Sequence, residues 1–97
     1  MNFTITISSE AETDIDEAFL WYEFQVIGLG ERFVLFVDRG FNTIADMPDS
    51  FTPAIDNVRK FVMEKFPYNI YYRVDKGKSQ IEIIRILHHK KQQNLIS

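Results

Sequence analysis

The chain has 97 residues, enough for one folded domain over 1–97 and too few for a second. It contains no cysteine, which excludes disulfides and thiolate metal sites. The adjacent His88 and His89 should point to opposite faces, which is poor geometry for a two-histidine metal site. We expect neither a metal centre nor a cofactor. No stretch approaches the roughly 18 consecutive apolar residues of a membrane helix, and the N-terminus lacks the basic segment of a secretory signal. These features predict a cytoplasmic protein with no membrane partner.

Charge is divided unevenly along the chain, although the formal net value is only −3. Residues 1–56 carry eleven acidic side chains against two basic ones, a net charge of −9. Residues 57–97 carry nine basic side chains against three acidic ones, a net charge of +6. Such segregation can orient a charged partner. A chance clustering of solvated charges explains the pattern equally well.

The first third of the chain predicts a strand followed by a helix. Residues 3–7 alternate apolar and polar side chains, the period of a half-buried strand. Ser9 followed by Glu12 is typical of a capping box at a helix start. Apolar residues then recur at helical spacing and form one stripe: Ala11, Ile15, Ala18, Phe19, Tyr22 and Val26. Gly28 predicts a left-handed end to this helix.

A second helix is predicted from Glu31 until Pro48, which cannot continue a helix. Because only a few residues separate the two helices, they should form an antiparallel hairpin. The turn-forming residues of the segment 48–53 predict a loop.

The rest of the chain predicts three antiparallel strands, over residues 57–64, 68–74 and 80–87. The segment 75–78 is typical of a tight hairpin turn in which Gly77 supplies a positive φ. Residues 88–97 form a polar C-terminal tail.

The element order β-α-α-β-β-β predicts an α+β fold. We expect the helix hairpin to pack on one face of a small, mainly antiparallel four-stranded sheet and to leave the other face open. The residues expected to be largely buried are Ile15, Phe19, Tyr22, Phe33, Val37, Phe41, Ile44, Ile70, Tyr72, Ile83 and Ile86.

Four segments of the chain together resemble the RelE/ParE superfamily of bacterial toxins. They are SSEAETDIDEAFLWYE (8–23), GLGERF (28–33), RKFVMEKFPYNIYYRVD (59–75) and IEIIRILHHKK (81–91). Their order and spacing carry the likeness, which extends over residues 3–91. The resemblance implies the growth-inhibiting toxin of a type II toxin–antitoxin, or plasmid-stabilisation, system, with a cognate antitoxin encoded beside it. Whether the free chain forms a homodimer stays open.

The superfamily divides by target, and the resemblance leaves both targets open. RelE-like members cleave mRNA on the ribosome without a metal, and the candidate catalytic residues here would be His89, Arg59 and Arg85. ParE-like members inhibit DNA gyrase and are not known as hydrolases. A chain with a pI near 5.3 lacks the basic character that helps ribosome-bound nucleases hold phosphates. The ParE-like interpretation therefore leads, with a RelE-like nuclease and an inactive antitoxin-binding homologue as alternatives.

The resemblance also implies two binding surfaces. For the target, the candidates are Arg59, Lys60, Arg73, His88, Lys90 and Lys91. For the antitoxin, they are Trp21, Phe24, Arg73 and Arg85. We expect Arg59, Arg73 and Lys90 to share one exposed positive patch on the open sheet face. Arg73 and Arg85 are equally suited to a structural role, in which they span strands or pair with helix carboxylates, and Arg59 and Lys60 to protecting their strand from edge pairing.

Trp21, Phe24 and Ile27 fall off the apolar stripe of the first helix. One interpretation is a helix buried on two sides against its hairpin partner. The other is a groove that receives apolar anchors of the antitoxin.

Overall fold

The computed structural model describes residues 3–91, in which two helices pack on one face of a five-stranded sheet. The elements in chain order are β1 Thr4–Ile7, α1 Ser9–Gln25, α2 Leu29–Asp46, β2 Thr52–Ile55, β3 Val58–Val62, β4 Tyr68–Asp75 and β5 Gln80–His88. The predicted α+β class is confirmed. Within this part of the chain, neither helix is long and apolar enough to cross a membrane.

The strand order in the sheet is β1-β5-β4-β3-β2. The last four strands of the chain are antiparallel neighbours, as their hairpin connections require. Strand β1 lies at one edge and pairs in parallel with β5, from Thr4 opposite Gln80 to Ile7 opposite Ile83. The first and last elements of the chain are therefore adjacent, and they close the fold.

The fifth strand, β2, was not predicted from the sequence. It forms a hairpin with β3, in which Thr52 pairs with Lys60 and Asp56 takes a positive φ of 50° at the turn. Pro53 is compatible with this strand because β2 lies at the sheet edge, where one side of the backbone needs no partner. The predicted loop over 48–53 is thus wrong at its last two residues, Thr52 and Pro53.

The first helix begins one residue earlier than the capping box predicts. The N-cap is Ser8, whose hydroxyl oxygen accepts a hydrogen bond from the Ala11 N–H at 3.0 Å. The same hydroxyl donates to the Ile84 carbonyl at 2.8 Å, which ties the start of α1 to β5. Ser9 instead donates to the carboxylate of its neighbour Glu10, at 3.3 Å.

Gly28 has the predicted left-handed conformation, with a φ of 90°. The helices around it have different limits from those predicted, because α1 already ends at Gln25 and α2 begins at Leu29 rather than at Glu31. Val26 is consequently the C-cap of α1 and is exposed, so it does not belong to the buried stripe.

The carboxylate of Glu23 on α1 stabilises the turn between the helices. It accepts hydrogen bonds from the N–H groups of Gly28 and Gly30, at 2.8 and 2.9 Å. A negative charge in this position also interacts favourably with the positive end of the α2 dipole. Gly30 lies so close to α1 that a Cβ there would be 2.6 Å from the Phe19 carbonyl oxygen.

The main core lies between the helices and one face of the sheet, here called the inner face. Of the side chains predicted to be largely buried, only Ile15, Phe19 and Tyr22 are partly exposed. Tyr72 anchors the loop after α2, since its buried hydroxyl donates to the Pro48 carbonyl at 2.7 Å. Burial raises the pKa of Tyr72 to about 12.

A smaller cluster of buried side chains lies on the opposite, outer face of the sheet, which carries no described helix. It consists of Val58, Tyr71 and Leu87, with Ile55 and Ile84 packed against them.

The turn before β5 does not use glycine in the predicted way. The positive φ belongs to Ser79, at 51°, and not to Gly77. The Asp75 carboxylate accepts a hydrogen bond from the Lys78 N–H across the turn, at 3.2 Å. Strand β5 then continues to His88, followed by a short 3₁₀ turn over residues 89–91. The rest of the predicted polar tail, 92–97, lies outside the described residues.

We expect Gly30→Ala to lower the free energy of unfolding by about 1–3 kcal/mol, because the added methyl group overpacks the contact between the helices. Gly77→Ala is the matched control, since its Cβ would have no neighbour closer than 3.4 Å and its φ is not positive. Urea denaturation measures both variants. Equal midpoints for the two would contradict the close approach of α1 and α2 at Gly30.

Candidate functional site

The Asp14 carboxylate joins α1 to β5 at the point where β1 ends. It accepts hydrogen bonds from Arg85 Nε at 2.8 Å and from Arg85 Nη2 at 3.0 Å. It also accepts the main-chain N–H of Ile86 at 2.9 Å. The paired side chains are 10% exposed for Asp14 and 28% exposed for Arg85, so solvent screens the pair only partly. The hydrogen bonding of the Arg85 guanidinium to the Asp14 carboxylate raises the pKa of Arg85.

An irregularity in the sheet places Arg85 beside Asp14. In the ladder between β4 and β5, Tyr72 pairs with Ile83 and Tyr71 pairs with Arg85, so that Ile84 is an additional residue on β5. A bulge of this kind re-aims the side chains that follow it. The Ile86 N–H consequently points away from β4 and towards α1.

A groove of about 520 Å³ opens between α1 and the second half of β5. Its helix wall is formed by Asp14, Glu17, Ala18 and Trp21. Its strand wall is formed by Tyr68, Arg85, Ile86, Leu87, His88 and Lys91. Arg85 is neutralised by Asp14. Within residues 3–91, the charged groups at the rim that make no ion pair are Glu17 on the helix side and Lys91 on the strand side.

His88 lines this groove as a partly buried side chain. Its ring stands edge-on to Tyr68 with 5.3 Å between centroids, and its Nδ1 accepts a hydrogen bond from the Lys90 N–H at 3.1 Å. Burial lowers the pKa of His88, and the nearby His89, Lys90 and Lys91 lower it further. The lowered pKa favours the neutral form of the imidazole, in which the hydrogen bond accepted by Nδ1 leaves the proton on Nε2.

The C-terminal half of α1 and the turn that follows it present apolar side chains to solvent, in a set here called the apolar helix face: Leu20, Trp21, Phe24 and Ile27. Trp21 is 62% exposed and Phe24 is 85% exposed. The interpretation of α1 as a helix buried on two sides is therefore wrong. An exposed cluster of large apolar side chains on a small domain is typical of a partner-binding surface.

The three candidate catalytic residues do not come together. Arg59 lies on β3 opposite Tyr72, which places its side chain on the inner face, and it donates to the Phe51 carbonyl at 2.7 Å. Arg85 is held by Asp14. His89 is exposed in the turn after β5. Within residues 3–91, no group of three or more acidic or histidine side chains is arranged to hold a metal ion.

The expected common patch of Arg59, Arg73 and Lys90 is wrong for Arg59. Arg73 pairs with Val58 of the outer-face cluster, whereas Arg59 pairs with Tyr72 of the inner core. Val58 and Arg59 are neighbours on β3, and neighbouring residues of a strand point to opposite faces of the sheet. Arg59 therefore lies on the inner face and Arg73 on the outer face.

The outer face carries Lys60 together with Arg73. Lys60 is opposite Tyr71 of the outer-face cluster. Arg73 donates to Glu82 and to Asn57, each at 3.2 Å, which neutralises part of its charge. Of the other target-binding candidates, His88 and Lys91 line the groove and Lys90 is exposed beside them.

Two residues that organise this region were not singled out in the sequence. Asp14 looked like one of several acids in the first turns of α1, and its partner Arg85 is 71 positions away. The sequence feature that could have identified Asp14 is its position on the helix, because it lies beside the apolar stripe of α1 and not on the opposite side. The second residue is Glu23, and its signal in the sequence was local. An acidic side chain that shortly precedes two glycines can accept hydrogen bonds from their N–H groups, as Glu23 does.

The architecture of two helices on one face of this mixed sheet defines a toxin fold of the RelE/ParE type. It is similar to the solved structure of the chromosomal ParDE toxin–antitoxin system from P. aeruginosa, with 20% identity, 89% of this chain and 95% of that chain covered, and a TM-score of 0.77. The toxin–antitoxin complex RelBE2 from Mycobacterium tuberculosis is also similar, with 14% identity, coverage of 91% and 99%, and a TM-score of 0.59.

Residues 5–93 match the family described as the ParE toxin of the type II toxin–antitoxin system parDE, and the chain belongs to this family. No curated protein sequence matches it.

We expect the His88 ring to titrate below its ordinary pKa of 6.5 in the folded chain. Two-dimensional NMR of the imidazole carbon-bound protons measures this titration. Lys91→Gln should raise the pKa of His88 by removing a positive neighbour, and the urea-unfolded chain should return it to the ordinary value. A folded-state midpoint at or above 6.5 would contradict the burial of His88 in the groove wall.

Proposed function

We propose that this type II toxin inhibits DNA gyrase by binding it, and that a cognate antitoxin in the cytoplasm neutralises it. The observation that carries the proposal is the separation of Arg59, Arg85 and His89. Cleavage of RNA through its 2′-hydroxyl needs a base, an acid and cations directed at one phosphate. Two of these three side chains are engaged in structural hydrogen bonds, and the third lies elsewhere on the surface.

The proposed target surface combines Lys60 and Arg73 on the outer face with His88, Lys90 and Lys91 at the end of β5. All of these positions are accessible at least in part. Arg59 is a weaker candidate for target contact, because its guanidinium is bound to the Phe51 carbonyl on the inner face. A toxin that stalls gyrase in this way supports plasmid stabilisation, since cells that lose the antitoxin gene stop growing.

We expect the purified chain to inhibit gyrase supercoiling and to leave in vitro translation unaffected. Combining Lys60→Ala with Arg73→Ala should raise the half-inhibitory concentration by about tenfold or more, equivalent to about 1.4 kcal/mol of binding free energy. Combining Lys76→Ala with Lys78→Ala, in the exposed turn before β5, is the matched control for the loss of two positive charges. Circular dichroism verifies the folding of each variant.

The outcomes of these two assays separate the alternatives. Blocked translation with cleaved mRNA and unaffected supercoiling would establish a RelE-like nuclease. No effect in either assay, combined with antitoxin binding, would establish an inactive binding homologue.

For the antitoxin, we propose that its apolar anchors dock on the apolar helix face, with Trp21 and Phe24 as the central contacts. The similar P. aeruginosa protein belongs to a toxin–antitoxin system, which supports a partner of this kind. Large aromatic side chains at the centre of an interface commonly dominate its energy. Arg85 contributes by positioning, since its ion pair with Asp14 holds α1 against β5. Arg73, on the outer face, would contact a part of the antitoxin that continues around the sheet.

We expect Phe24→Ala to weaken antitoxin binding by about 2 kcal/mol or more, roughly 30-fold in Kd. Val62→Ala is the control, because Val62 is also an exposed apolar residue, but it lies on β3 away from the helices. Isothermal titration calorimetry with the antitoxin measures both. Equal losses for Phe24→Ala and Val62→Ala would contradict docking on the apolar helix face.

A further inference from the structure

Asn69 is a polar side chain buried among apolar ones on the outer face of the sheet, where it is 3% exposed. It is the second residue of β4, opposite Val62 of β3 and Leu87 of β5. Because alternate residues of a strand share a face, Tyr71 lies beside it on the same side. Asn69 is therefore continuous with the outer-face cluster, to which Tyr71 and Leu87 belong.

Only part of the hydrogen-bonding capacity of this amide is used within the chain. Its Nδ2 donates to the Tyr71 hydroxyl at 3.3 Å. Its Oδ1 is buried, and no group among residues 3–91 donates to it. A buried acceptor without a hydrogen bond lowers the free energy of unfolding, because folding removes its contact with water. A leucine of similar size would fill this apolar position without that loss, so stability does not explain the asparagine. Departures of this kind are expected at functional sites.

The charges near Asn69 have the arrangement of an interface rim. Lys60, opposite Tyr71, lies on the outer face and makes no ion pair within the described part of the chain. Arg73 lies on the same face further along β4, and its side chain is 44% exposed although Glu82 neutralises part of its charge. Protein interfaces combine an apolar, closely packed centre with a polar rim. The outer face offers such a centre, with one acceptor in it and cations beside it.

We propose that Asn69 Oδ1 accepts a hydrogen bond from gyrase at the centre of the target surface, which makes Asn69 a residue that selects the partner. This inference rests on the proposed function, because it names the contact by which the outer face recognises its target. The donor is a neutral N–H or O–H group. Lys60 and Arg73 disfavour a cation at this place, and they favour carboxylates of the partner around it.

The buried state of the amide makes it selective. Its oxygen has already lost water on folding, so a partner that supplies the donor gains a hydrogen bond without a new desolvation cost. A partner without a donor at this place gains none, which lowers its relative affinity. The side chain of Val62, at the last position of β3, is 55% exposed. A partner that displaces this side chain reaches Asn69 with no change in the strands.

The test replaces the polar pair by an apolar pair of nearly the same shape, in the double variant Asn69→Leu with Tyr71→Phe. Removal of the Tyr71 hydroxyl ensures that the first substitution creates no new unpaired group. We expect the urea midpoint to rise by about 0.5 M, since the buried acceptor is gone. The half-inhibitory concentration against gyrase supercoiling should rise by about tenfold or more. Greater stability together with weaker inhibition distinguishes a target contact from a structural residue.

Asn42→Leu is the matched control for the exchange of an amide for an apolar side chain. Asn42 is exposed on α2, on the other side of the sheet. Its half-inhibitory concentration should stay within about twofold of the wild-type value. The double variant should also keep its affinity for the antitoxin within about twofold, because the apolar helix face lies on the helix side of the molecule.

The possible results separate this inference from the proposed function. A double variant that inhibits gyrase as well as the wild-type chain would overturn the target contact and leave the proposed function standing. A lower urea midpoint would overturn the inference by showing that the amide is structural, and so would a parallel loss of antitoxin binding. A wild-type chain without effect on supercoiling would overturn the proposed function and the contact together, before any variant is compared.

Discussion

The hydrogen bonds accepted by the Asp14 carboxylate are the constraint on which the arrangement of helices and sheet depends. This one side chain neutralises Arg85 and satisfies the Ile86 N–H at the point where β1 no longer covers β5. Together with Ser8, it fixes the direction in which α1 leaves the sheet edge. An unpaired, largely buried Arg85 and an unsatisfied Ile86 N–H would each cost about 1–3 kcal/mol.

The fixed position of α1 has consequences on both of its sides. Its inner side packs Ala11 and Ala18 into the core, and the small size of these residues allows close approach to the sheet. Its outer side leaves Trp21 and Phe24 in solvent, beside the groove between α1 and β5. The same constraint that completes the fold therefore exposes the surface that we assign to the antitoxin. The acidic helices and the basic end of β5 meet along that surface.

Local patterns in the sequence were sufficient to predict most of the helices and strands, because periodicity, caps and turns depend on residues that are close together in the chain. The strand β2 escaped prediction because Pro53 argues against a strand unless its edge position is known. The site was less predictable, since it depends on contacts between distant residues. The bulge at Ile84 and the pairing of Arg59 with Tyr72 decide which side chains share a face, and neither follows from spacing alone. The positions of Trp21 and Phe24 off the helical stripe were visible in the sequence, but only the packing of α1 decides that they are exposed and not buried on a second side.

A double-mutant cycle on Asp14→Ala and Arg85→Ala, followed by urea unfolding, tests the central claim most directly. The account predicts a coupling free energy of about 1–3 kcal/mol, because the pair is bidentate, charged and only partly screened by solvent. A parallel cycle on Arg85→Ala with Asp16→Ala, an exposed acid on the same helix, should give a coupling near zero. A coupling below about 0.3 kcal/mol between Asp14 and Arg85 would contradict the claim that this pair holds α1 against β5.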